Sequence, residues 1–68
     1  MTNASQLAFI RTQAETFAWA AVAADSLVAM GVIFADDALG VRHVARELIA
    51  AARTDPKFIG DKLPAEFK

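Results

Sequence analysis

The chain reads as all-α: a two-helix antiparallel hairpin with a short C-terminal tail, dimerising into a four-helix bundle. Three observations predict this. No proline interrupts the sequence before Pro56, and sixteen of its 68 residues are alanine, the strongest helix former. Apolar residues recur at alternating steps of three and four, the spacing of a helix that packs along another helix. The apolar fraction, 56%, is high for so short a chain. A domain of this size buries only about 60% of the surface its unfolded form exposes, so burial shared with a second chain is expected.

The elements follow in order. Asn3 with Gln6 three residues later is a capping-box pattern and starts a first helix of about residues 4–34. Its seam is Leu7, Ile10, Ala14, Phe17, Ala21, Ala24 and Val28, continuing through Gly31 to Ala35. These residues are the expected oligomer interface, and the alanines would let two backbones approach closely. Gly31 either bends or ends this helix, because glycine does both. Asp36 and Asp37 read as an N-cap pair for a second helix of about residues 37–54. That helix has an apolar side of Val41, Val44, Ala45, Leu48, Ile49 and Ala52, and a wet side of Arg42, His43, Arg46, Glu47 and Arg53. The two elements make a hairpin over residues 1–54. Asp55-Pro56 stops the second helix and can start one short turn. The remaining tail, residues 55–68, is irregular or short-helical and either lids the hairpin or docks on a partner, with Phe58 and Phe67 as its anchors.

Charge is unevenly placed. Residues 1–37 hold Arg11 against Glu15, Asp25, Asp36 and Asp37, a sum of −3; residues 38–68 hold six basic and four acidic groups, a sum of +2. The absence of cysteine excludes disulfides and thiolate-bound zinc. MTNASQLAFIR lacks the layout of a secretory signal, so the cytoplasm is the expected compartment.

The stretch FAWAAVAADSLVAMGVIFADD, residues 17–37, is long enough to raise a membrane span. Asp25 at its centre costs about 2.5–3.5 kcal/mol, and the seven Leu, Ile, Phe and Val residues between Phe17 and Ala35 return roughly 2–4 kcal/mol. A single-span subunit of a membrane complex is therefore an alternative, not the first reading. Asp25-Ser26-Leu27 resembles the phosphopantetheine attachment site of acyl carrier proteins, and Leu39-Gly40-Val41 resembles the end of the helix that follows that serine. The resemblance implies a loop before the serine, where this chain reads as unbroken helix. No cofactor is expected.

His43 and Glu47 stand four apart on one helix face, without further ligands at metal-binding spacing, and read as an exposed pair. Arg42, Arg46 and Arg53 fall on one side of the second helix. They are candidates for binding a partner, with a nucleic-acid-binding dimer as a second alternative. No nucleophile, base and orienting group can be assembled from one His, no Cys and no Tyr. The expected function is a non-enzymatic protein–protein interaction module, a regulator, adaptor or accessory subunit. It would act as a homo-oligomer or on a larger protein.

Overall fold

A computed structural model describes residues 3–68 as α1 (Ala4–Ala29), α2 (Ala35–Ala52) and one short 3₁₀ turn (Ala65–Phe67), with no strand among the described residues. The two long helices pack on each other as a hairpin. The molecule measures 40 × 22 × 14 Å, and its radius of gyration of 12.8 Å exceeds the ~11 Å of a compact chain of this length. Its long axis is set by α1, whose 26 residues extend about 39 Å.

The start of α1 is a closed capping box. The Gln6 amide donates to Asn3 Oδ1 at 2.9 Å, and the Asn3 amide donates to Gln6 Oε1 at 3.0 Å. Its end is a Schellman motif built on Gly31, which adopts φ +78°. The Gly31 amide donates to the Val28 carbonyl at 3.0 Å, and the Val32 amide donates to the Leu27 carbonyl at 2.9 Å. Gly31 therefore ends the helix. The seam stops with it: Gly31 lies in the turn and Ala35 opens α2, both exposed.

The N-cap of α2 differs from the sequence expectation. Phe34 occupies the cap without a side-chain hydrogen bond, and Asp36 and Asp37 lie within the first turn. The two carboxylates there face the positive end of the helix dipole, so they stabilise α2 by charge without closing a cap.

Alanine dominates the core. Of ten buried apolar residues, seven are Ala14, Ala18, Ala21, Ala24, Ala38, Ala45 and Ala52. Ala14, Ala18 and Ala21 on α1, and Ala45 and Ala52 on α2, have no exposed surface at all, which requires the two backbones to run close together. The larger members of the core are Ile49 and two tail residues, Leu63 and Phe67.

The tail is bound to the hairpin along its length. Asp55 and Pro56 open a turn in which the Phe58 amide donates to the Asp55 carbonyl at 3.0 Å and the Lys57 amide to Asp55 Oδ1 at 3.0 Å. Asp55 Oδ2 accepts from Arg11 Nη1 at 2.8 Å, so the carboxylate, buried to 6% exposure, has both oxygens engaged. Trp19 Nε1 donates to the Lys62 carbonyl at 2.8 Å. Phe67 is only 8% exposed and packs in the same cluster as Ala14, Ala21 and Ala45. Of the two roles open to the tail, it takes the lid.

Candidate interaction surface

The tail crosses one broad side of the hairpin. Its partners there are Arg11 and Trp19 on α1 and Arg42 and Arg53 on α2. The rest of the chain is the hairpin itself, so no described segment covers the opposite side.

The sequence distributes charge between these two sides. At 3.6 residues per turn, the charged residues of α1, Arg11, Glu15 and Asp25, fall within an arc of about 80° on the tail side. Phe9, Ala20 and Leu27 lie about half a turn round from them, with Gln13, Thr16 and Phe17 alongside. On α2 the uncovered side carries Gly40, Val41, Val44, Leu48 and Ala51, while Arg42 and Arg53 lie about half a turn away. Only Asp37, at the turn end, brings a charge onto this face, and Glu47 stands at its outer edge. Phe9 is 57% exposed and Val44 40%; Ile10, Phe17, Val41 and Leu48 are half-buried where the two helices meet. At the turn end Met30, Val32 and Phe34 are exposed, and so is Leu39, which lies on the Arg46 side of α2. A helix that is apolar on nearly every side normally has neighbours on several sides, and among the described residues α1 has α2 and the tail only.

This geometry reassigns the residues singled out from sequence. Ala14, Ala21 and Ala24 are buried against the chain's own α2 and tail, so their surface is already consumed inside the hairpin. Leu7, Ile10, Phe17 and Val28 are half-buried, and of these Ile10, Phe17 and Val28 border the uncovered side. The exposed apolar residues of that side, Phe9, Leu27 and Val44, lie outside the seam. The second helical stripe that contains Phe9, Gln13, Thr16, Ala20, Ala23, Leu27 and Met30 also follows steps of four and three. It was legible by the same spacing rule, but its polar and small members hid it beside the stronger seam.

Among the tail residues considered as partner anchors, Phe67 is in the core and Phe58 packs against it, so neither is free to dock elsewhere. The arginine stripe is divided. Arg42 binds Asp25 of α1 and Glu66 of the tail, the latter at 3.2 Å, and its guanidinium carbon lies 5.3 Å from the Phe67 ring centroid. The hydrogen bond to Glu66 raises its pKa above the ordinary value, helped by the charges of Asp25 and Glu66 against the opposing effect of burial. Arg53 Nη2 donates to the Phe67 carbonyl at 3.4 Å. Arg46 remains exposed on the same side. Two of the three arginines thus hold the tail in place.

The remaining motifs are placed as follows. Ser26 lies inside α1, donating to the Val22 carbonyl, and no loop precedes it as the carrier-protein resemblance would require. His43 Nε2 and Glu47 Oε1 stand 3.9 Å apart on the exposed side of α2. On the membrane alternative, no helix among the described residues is long and apolar enough to cross a membrane. The apolar run of residues 17–35 is broken by the turn at Gly31, and Asp25 sits in its helical part. No protein-family model, curated protein or solved structure matches the chain.

Proposed function

We propose that this protein is a non-enzymatic protein–protein interaction module, working as a homo-oligomer or on a larger protein through the side of the hairpin left open by the tail. The observation that carries this reading is the segregation of charge: Arg11, Glu15, Asp25, Arg42 and Arg53 lie on the tail side, while the open side is apolar or uncharged across most of its length. Two-layer packing is how such a face is ordinarily buried, and a second hairpin supplies the missing layer as a four-helix bundle. The reading belongs to regulators, adaptors and accessory subunits, whose chemistry is burial of surface.

Leu27→Glu tests it. The substitution puts a carboxylate on the turn half of the uncovered side at a position 36% exposed, where the single hairpin tolerates it. With light scattering on untagged protein without detergent, the wild type is expected to show a multiple of 7.3 kDa and the variant a lower mass with unchanged helicity. A wild type that stays at 7.3 kDa and takes up no apolar dye on this side refutes the reading.

A further inference from the structure

We infer that the layer completing the open side is a second copy of this chain, packed antiparallel about a two-fold axis that passes over Ala20 of α1 and Val44 of α2. This rests on the interaction reading above and specifies its partner and register.

Three features select that arrangement. The first is the order of side-chain size along α1. The stripe runs from Phe9 through Gln13, Thr16, Ala20 and Ala23 to Leu27 and Met30, larger at both ends and small in the middle. Turned end for end about Ala20, the stripe sets Ala20 on the partner's Ala20 and Thr16 against the partner's Ala23. Phe9 then reaches the partner's exposed turn at Met30 and Val32. Ala20 and Val44 stand within about one helical turn of the same height in the antiparallel hairpin, since Ala21 and Ala45 share one buried cluster and Asp25 pairs with Arg42. One axis can therefore serve both helices, and an isologous interface needs such a centre.

The second feature is electrostatic. The turn end carries Asp36 and Asp37, while the open end carries Lys57 and, on the tail side, Arg53, beyond the Arg11–Asp55 pair that balances itself. An axis parallel to the helices would bring the two acidic turns together. The perpendicular axis sets each acidic turn beside the basic end of the other copy, which lowers the energy of the encounter and fixes its direction.

The third is area. The whole molecule spans 40 × 22 Å along its two longest axes, which bounds the projected footprint of one side at about 880 Å². Stable interfaces bury about 800 Å² on each partner, so a dimer of this kind uses nearly the whole open side.

Cysteine cross-linking tests the register, because the chain has no cysteine of its own. Ala20→Cys and Val44→Cys are made separately, with Asp61→Cys, exposed on the tail, as the comparison. Each is oxidised in dilute solution and its mass measured by light scattering before oxidation. A disulfide needs Cα atoms within about 7 Å, which the two-fold centre provides for like residues. The expected result is a dimer in which Ala20→Cys and Val44→Cys cross-link at least about tenfold faster than Asp61→Cys, because pairing within a complex replaces chance encounter. A dimer in which neither central position cross-links faster than Asp61→Cys overturns this register and leaves the interaction reading standing. A monomer at every concentration overturns the second copy. If that monomer binds an apolar dye that Leu27→Glu abolishes, the open side serves a different protein; if it binds none, both readings fall together.

Discussion

Replacing Arg11 by Met probes the longest-range ion pair of the fold. Arg11 and Asp55 are 44 residues apart and join the first half of α1 to the turn that follows α2. Methionine keeps most of the apolar stem and removes the donor, leaving Asp55 buried to 6% exposure with Oδ2 unpaired. A hydrogen bond to a charged group contributes about 1.5–3 kcal/mol. Stranding one partner of a fully buried pair costs about 3–5 kcal/mol. The Arg11 side chain is 30% exposed, so water reaches this pair and the lower range applies. A loss of about 2 kcal/mol is expected. Against a total of about 3–10 kcal/mol for a chain of this length, that is a large fraction. It corresponds to a fall in Tm of roughly 8–16 °C. Urea and thermal unfolding followed by circular dichroism, at one fixed protein concentration, measure it. Adding Asp55→Asn to the variant should recover part of the loss, because a neutral amide replaces the stranded carboxylate and still accepts from the Lys57 amide. A loss below about 0.5 kcal/mol would place the pair among ordinary solvated surface contacts and refute the reasoning.

Two further outcomes are expected. Gly31→Ala has open space around the added methyl group, so its cost is that of a left-handed backbone alone, about 1 kcal/mol, read as a lower urea midpoint with an unchanged slope. Phe67→Ala removes the aromatic ring that lies under Arg42 and closes the core. Trypsin should then cut at Lys57 and Lys62 well before the hairpin itself unfolds, and the fluorescence of Trp19 should shift as its bond to the Lys62 carbonyl opens; a variant as resistant as the wild type would show that the tail is held without Phe67.

The hairpin was legible because its signals are local. Asn3 and Gln6 are three residues apart, and Gly31 can be weighed as a helix end from its neighbours alone. The assignment of Asp36 and Asp37 as caps failed by two residues because the dipole rewards a carboxylate anywhere in the first turn, so the sequence pattern does not separate cap from interior. The tail was harder to read. Leu63 and Phe67 are four apart, a helical interval, yet Pro64 stands between them and the segment forms no α-helix. Their burial depends on the space left between Ala14, Ala18 and Ala21 on one helix and Ala45 and Ile49 on the other. Arg42 looked like one member of an exposed stripe. Its partners lie 17 and 24 residues away, and only the folded chain brings Asp25 and Glu66 to it. The open side was legible in principle from the angular placement of charges, but recognising it as open required knowing which side the tail takes.

The alanine core has a thermal consequence. Heat capacity rises on unfolding in proportion to the apolar surface newly wetted, typically by about 12–15 cal/mol/K per residue. Methyl groups in place of larger aliphatic side chains reduce that surface, and no large side chain of the hairpin is fully buried. The curve of stability against temperature for the single hairpin is therefore broad and shallow, changing little between cold and warmth, with its height set by hydrogen bonds and close backbone packing more than by hydration.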